Sequence, residues 1–165
     1  MNPKKLYELL KKRFGEAVIS VDVENSIPPK YVIQPDKVHE ISEFLKNTGD
    51  LEYDQLMCLT GQDLGNELSV VLNLFSTKHY SSITLEAKVA REHPELDSVS
   101  DLYATANWHE REAYDMLGVV FKGHPNMKRI LLPDDWEGYP LRKDYKPADA
   151  WHGMPISKEL SHKHN

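Results

Sequence analysis

Of the 165 residues only one is cysteine, Cys58, and long apolar runs and a basic excess are both missing. A single thiol excludes a disulfide framework and suits a reducing compartment. It also means that this chain cannot ligate an iron–sulfur cluster alone, because such clusters take about four thiolates. No apolar run approaches the ~18 residues needed to span a bilayer. The start, Met1-Asn2-Pro3-Lys4-Lys5, lacks the apolar stretch of a secretory signal. A formal net charge of −6 argues against a nucleic-acid binder, which normally carries a basic footprint. What is present is an ordinary globular composition, 40% hydrophobic and 28% charged, with a mean hydropathy of −0.56. A fold of this size hides roughly 70% of its unfolded surface, enough for a core without staples.

The charge is unevenly spread. Residues 1–15 carry a net +4, residues 16–117 a net −12, and residues 118–165 a net +2. Leu6, Leu9, Leu10 and Phe14 recur at helical spacing, with Gly15 as a stop. Ile19, Val21 and Val23 alternate with polar residues and predict a half-buried strand. After Pro28-Pro29 comes a short strand at Tyr31-Val32-Ile33, then a helix with the apolar stripe Val38, Ile41, Phe44 and Leu45. Three more strands are expected. In the first, Tyr53, Gln55, Met57 and Leu59 share one face and Leu56 and Cys58 the other. The second is lined by Leu68, Val70, Leu72 and Leu74, the third by Ile83, Leu85, Ala87 and Val89. A helix is predicted from Ser98 or Ser100 through Leu117, stopped by Gly118. The expected fold class is therefore α+β, a small mixed sheet flanked by helices.

Beyond Gly118 the pattern changes. Prolines at 125, 133, 140, 147 and 155 forbid a long helix or a central strand. Yet Ile130, Leu131, Leu132, Trp136, Tyr139, Leu141, Tyr145 and Trp151 are too apolar for a disordered linker. We expect a globular domain over residues 1–117 and an extended arm over 118–165, its aromatics covered by the domain's own surface or by another protein.

Catalytic patterns are incomplete. His109-Glu110-Arg111-Glu112-Ala113 has alanine where a zinc-protease helix needs its second histidine. Asp134-Asp135-Trp136-Glu137-Gly138 lacks the alternation of a calcium loop. Gly61 and Gly65 are not followed by the lysine of a phosphate loop. Cys58 sits in an apolar strand as a packed thiol, and His152, His162 and His164 fall near the end of the sequence. Glu110, Glu112 and Asp115 could hold the acid/base pair of a stand-alone carboxylate hydrolase, centred on Glu112 and Asp115, which share a helix face. The bland alternative is that Arg111 and the basic arm neutralise them.

The run of residues 106–145 closely resembles the signature of the C-type subunit of proton-translocating NADH–quinone oxidoreductase, respiratory complex I. Its blocks fall on Glu110-Arg111-Glu112 with Asp115, on Gly123-His124-Pro125, on Lys128 to Leu131 with Pro133, and on Pro140-Leu141-Arg142-Lys143-Asp144-Tyr145. The resemblance implies a small α+β domain whose C-terminal segment lies along a neighbouring subunit. It implies a non-catalytic component of the peripheral arm, with the D-type subunit as main partner and the B-type subunit as a second. The complex passes electrons from NADH through FMN and iron–sulfur clusters to quinone and moves protons. Those cofactors would be held by other subunits, with none in this chain. The implied place is the cytoplasmic face of the bacterial inner membrane, with attachment through partners. Related complexes that take electrons from ferredoxin, another reduced carrier or hydrogen carry the same subunit type and stay open.

Within the motif, Arg111 is expected to make bidentate pairs, either inside the helix–arm junction or across to a partner. Asp115 is expected to pair with Arg129 or Arg142 if the arm folds back. Gly123, His124 and Pro125 would turn the chain off the domain. Trp136, Tyr139 and Tyr145 would be apolar anchors at an interface.

Overall fold

The computed structural model describes residues 2–155. Asn2 caps helix α1 (Pro3–Phe14), its side-chain oxygen accepting from the Lys4 N–H at 2.9 Å, and Pro3 occupies the first turn where no N–H is needed. Leu6 and Leu10 turn inward, and Gly15 ends the helix at φ +58. Strands β1 (Val18–Asp22) and β2 (Lys30–Ile33) follow, then helix α2 (Val38–Asn47) with Val38, Ile41 and Leu45 buried. Next come the long strands β3 (Gln55–Asp63), β4 (Glu67–Ser76) and β5 (Ser81–Ala90).

These five strands form one mixed sheet in the order β1-β2-β5-β4-β3. The β2–β5 pair is parallel and the others antiparallel. The fold is α+β. Leu68, Val70, Leu72 and Leu74 of β4 and Leu85 and Ala87 of β5 share one fully buried core with the inward residues of α1 and α2. On the other side of the sheet, Glu86 is held by Lys30 at 2.8 Å and by the Ser69 hydroxyl at 3.0 Å.

Two strands depart from strict alternation because each carries a bulge, which inserts one residue and flips the faces beyond it. In β1 the shift lies between Val18 and Ser20, so Val18 is buried and Ile19, expected inward, is 53% exposed. In β3 it lies between Leu56 and Cys58. Leu56 and Leu59 then both point into the core, three residues apart, and Met57, expected beside Leu59, is 63% exposed. The last helix also starts later than expected. Residues 98–105 are turns, and α3 runs from Ala106 to Leu117. Val99 and Tyr103, which mimic helical spacing, are buried from those turns, and the Tyr103 hydroxyl donates to the Tyr53 carbonyl at 2.9 Å.

Helix α3 lies against the edge strand. A Cβ on Gly61 would stand 2.5 Å from Leu117 Cδ1, so a side chain there would force the Leu117 side chain to shift. The strand's outward backbone groups are met by the helix: Thr105 Oγ1 donates to the Leu56 carbonyl at 3.0 Å, and the Leu59 N–H donates to His109 Nδ1 at 3.2 Å. An edge covered in this way no longer templates strand pairing. Past Gly118, in the left-handed region at φ +76, Val119 and Phe121 are buried in the core. Strand β7 (Val120–Lys122) pairs in parallel with β6 (Glu95–Asp97). Residues 123–155 then wind past α3 and close in a small hairpin of β8 (Ala150–Trp151) and β9 (Met154–Pro155).

Candidate interaction site at the junction of helix and arm

Three ionisable groups on α3 are buried: Glu110, Arg111 and Asp115. Burying charge is costly unless each group finds partners. The arm and the turn before the helix supply them.

Glu110 faces the turn. Its carboxylate accepts from the Ser98 hydroxyl at 2.6 Å and from the Val99 N–H at 2.7 Å. Burial outweighs these bonds and pushes its pKa up to about 7. Arg111 faces the arm: Nε donates to the Lys128 carbonyl at 3.1 Å and Nη2 to the Arg129 carbonyl at 3.3 Å, and the guanidinium sits 5.1 Å from the Trp108 ring centre. Its pairing inside the junction is with backbone oxygens, not with the neighbouring glutamates.

Asp115 is the hub. Its Oδ2 accepts from three consecutive N–H groups, Ile130 at 3.0 Å, Leu131 at 2.7 Å and Leu132 at 3.0 Å, while Oδ1 takes Arg129 Nη1 at 2.8 Å. Burial alone would raise its pKa; these donors more than reverse that and hold the carboxyl below the ordinary carboxylate range. Of the two partners expected, Asp115 takes Arg129. Glu112, on the same helix, is exposed. One carboxylate in solvent and one saturated by donors do not make the acid/base pair that a Glu112–Asp115 hydrolase would need.

The arm also caps the helix. The last carbonyls of a helix have no partner within it. Here the Asp115 carbonyl accepts from Arg129 at 3.2 Å, Met116 from the Leu141 N–H at 3.0 Å, and Leu117 from Arg142 Nε at 2.7 Å. Two guanidinium groups at a helix C-terminus also suit its dipole. Arg129 reaches onward to the carbonyls of Trp136 at 3.0 Å and Gly138 at 3.1 Å. Tyr139 is stacked by Arg129 and Arg142, with its ring centre 5.5 and 4.9 Å from the two guanidinium carbons, and it covers Gly118, where an added Cβ would lie 2.5 Å from the ring. Tyr145 lies over Gly138, and its N–H donates to the Arg142 carbonyl at 3.0 Å.

At the turn, Gly123 takes φ +83. His124 is oriented by its neighbours: Nδ1 accepts from the Asn126 N–H at 3.0 Å and Nε2 donates to the Asn107 carbonyl at 3.1 Å. Pro125 is exposed, as are Lys143 and Asp144, while Pro140 is half-buried. The turn brings the chain back toward α3 rather than off the domain. Two residues that sequence reasoning missed anchor the far end. Asp63, at the end of β3, accepts from the Lys143 N–H at 2.7 Å, from the Gly65 N–H at 2.7 Å and from Arg91 at 2.7 Å, and the Arg91 bond leads the effects that hold its carboxyl well below the usual range. Arg91 also pairs with Asp144. Asp63-x-Gly65 carries a turn signal, but nothing in the sequence marks Arg91. At the surface of this network the side chains of Trp108, Leu131 and Leu141 stand exposed at 62%, 61% and 60%.

The family described as respiratory-chain NADH dehydrogenase, 30 Kd subunit, matches residues 31–161, most of the domain together with the arm. The chain belongs to this family. Among 30 Kd-subunit relatives, the C-type subunit of NADH-quinone oxidoreductase from Chloroherpeton thalassium is 42% identical over 134 residues, covering 79% of this chain and 55% of the relative. Its counterpart from Chlorobium phaeobacteroides is 39% identical, covering 79% of this chain and 81% of the relative. The C-type subunit of F(420)H(2) dehydrogenase from Methanosarcina mazei is 38% identical, covering 82% and 85%. The chain thus spans about half the length of one of these relatives and over four fifths of the other two. Among solved structures, the trypsin-resistant fragment (1-134) of Nqo5 superposes with a TM-score of 0.62 at 25% identity, covering 74% of this chain and 98% of that one. A chain of an archaeal membrane-bound sulfane sulfur reductase shares the fold at a TM-score of 0.72 and 19% identity, covering 88% and 86%. Among the described residues no helix is long and apolar enough to cross a membrane.

Proposed function

We propose that this chain is a non-catalytic scaffold in the peripheral part of an NADH–quinone oxidoreductase, where its arm docks on the D-type subunit and, to a lesser extent, on the B-type subunit. The assembly transfers electrons from NADH through FMN and iron–sulfur clusters, all held by other subunits, to quinone, coupled to proton translocation. This chain sits on the cytoplasmic face of the membrane through its partners. The observation that carries the reading is the division of labour in the junction. The motif's buried charges are engaged within the chain, fixing the arm to α3, and that leaves Trp108, Leu131 and Leu141 facing out. Interface anchors of this kind belong on a rigid support. Membership of the 30 Kd-subunit family and relatives named as subunits of respiratory complexes support the same role.

The Methanosarcina relative, named as a subunit of an F(420)H(2) dehydrogenase, favours a second reading in which the role is the same but the electron donor differs. A flavin- and NADH-binding module encoded beside this chain decides for NADH. The docking role is tested by replacing Trp108, Leu131 and Leu141 together with serine in the full chain. The expected result is loss of co-purification with the D-type subunit by a chain that still folds cooperatively. Undiminished co-purification would remove the docking surface from this face.

A further inference from the structure

The end of the arm builds a cavity that the junction does not use. Arg129 holds the Trp136 and Gly138 carbonyls, so the stretch around Trp136 is fixed by the same guanidinium that binds Asp115. The β8–β9 hairpin turns through His152 and Gly153, both at positive φ (+49 and +75), and returns Trp151 to within 6.1 Å of Trp136, ring centre to ring centre. His152 Nε2 lies 2.6 Å from an Asp135 carboxylate oxygen and pins the hairpin down. Between them is a cavity of about 280 Å³, lined chiefly by Trp136, Trp151, Tyr145, His152, Asp135 and Glu137.

Three properties define what fits. First, the walls are aromatic faces with two carboxylates and a single imidazole, an arrangement that attracts a cation. Second, the indole N–H groups of both Trp136 and Trp151 are buried and donate to no acceptor among the described residues. Buried donors left unpaired are costly, so an incoming group must also bring acceptors. Third, the volume lies just below the range of about 300–1,000 Å³ typical of sites for whole small molecules, which suits one long side chain. A guanidinium stacks on indole and forks onto carboxylates, and a peptide carries carbonyl acceptors beside it.

We propose that this cavity receives an arginine side chain of a neighbouring polypeptide, its guanidinium on the indole faces against Asp135 and Glu137 and its flanking carbonyls on the two indole N–H groups. The proposal rests on the reading of the arm as a docking segment and names the chemistry of one contact. It assigns Trp136 and Trp151 to binding, and Arg129 to positioning them.

The test uses the full chain labelled with ¹⁵N at tryptophan and titrated with N-acetyl-arginine N-methylamide. The Trp136 and Trp151 indole signals should move saturably while Trp108, on α3, stays still and serves as the internal control. The citrulline analogue, the same shape without charge, should bind about tenfold more weakly, as should arginine to the Asp135→Asn/Glu137→Gln variant. Absence of any shift at millimolar probe, equal binding of the citrulline analogue, or tighter binding of the lysine analogue would overturn the proposal. The two readings fail separately. Arginine binding by a chain that recovers no partner subunits keeps the cavity and removes the docking role. Partner recovery that survives Trp136→Phe/Trp151→Phe, together with no arginine-induced shift in the unsubstituted chain, keeps the docking role and removes the cavity.

Discussion

Replacing Asp115 by asparagine keeps the shape of the side chain and removes its charge. The carboxylate serves four donors at 2.7–3.0 Å, three of them backbone N–H groups converging on one oxygen. An amide has one oxygen, so it can face either the three N–H groups or Arg129. Its NH₂ then meets donors on the other side, and at least one charge-assisted bond becomes a clash of donors. Breaking a buried ion pair by removing one partner costs about 3–5 kcal/mol. For a chain of this size each kcal/mol moves the melting temperature by roughly 2–4 °C, so a fall of roughly 6–20 °C is expected. Chemical unfolding of the full chain measures the loss. Amide hydrogen exchange locates it: protection should vanish first at residues 130–132, before β4 opens. The Arg129→Met variant should cost less than the sum when combined with Asp115→Asn, because both remove one interaction. A loss below about 1 kcal/mol, or unchanged protection at residues 130–132, would refute the idea that Asp115 holds the arm.

Glu110 gives the opposite pH dependence to Asp115. Its carboxyl titrates near 7 folded and near 4.5 unfolded, so the folded state binds the extra proton between those values and stability falls as pH rises through them. Glu110→Gln, which can donate to Ser98 and accept from Val99, should equal the wild type below about pH 4 and exceed it at pH 8 by up to about 3 kcal/mol in urea unfolding. Parallel pH curves would contradict this. Asp115, its pKa depressed, contributes stability above the unfolded carboxyl range that is lost as pH falls through its folded value. Gly118→Ala should combine strain at φ +76 with collision against Tyr139, loosening the arm and exposing Lys128, Arg129, Arg142 and Lys143 to trypsin; a digestion rate equal to wild type would count against the packing. Arg91→Ala should release Asp63 and Asp144 together and free only the far end of the arm, seen as lost protection at the Lys143 amide with the Asp115 cluster intact.

The parts of the fold legible in the sequence are those where side chains alone decide. The β4–β5 hairpin pairs ten residues without irregularity, so its alternation reads directly as an inward and an outward face. At Ile19 and Met57 the same rule fails, because a bulge is a backbone event that leaves period-two patterning intact on paper. The spacing of Val99, Tyr103 and Ala106 imitates a helix, but Ser98 and the Val99 N–H are committed to Glu110, and the chain reaches α3 through turns. At the junction, the residue types are visible, and the partner of Asp115 narrows only to Arg129 or Arg142, of which the fold uses Arg129. Most of the other partners cannot be named. Arg111, Arg142 and three quarters of Asp115's bonds go to backbone atoms, which every residue carries and no pattern marks.

The most direct test of the scaffold role is native mass spectrometry of the affinity-tagged full chain, purified gently from cells that express its neighbouring genes. The expected result is an assembly in which this chain is bound to the D-type subunit, with the B-type subunit in the larger species. A stable lone monomer, free of both, would contradict it.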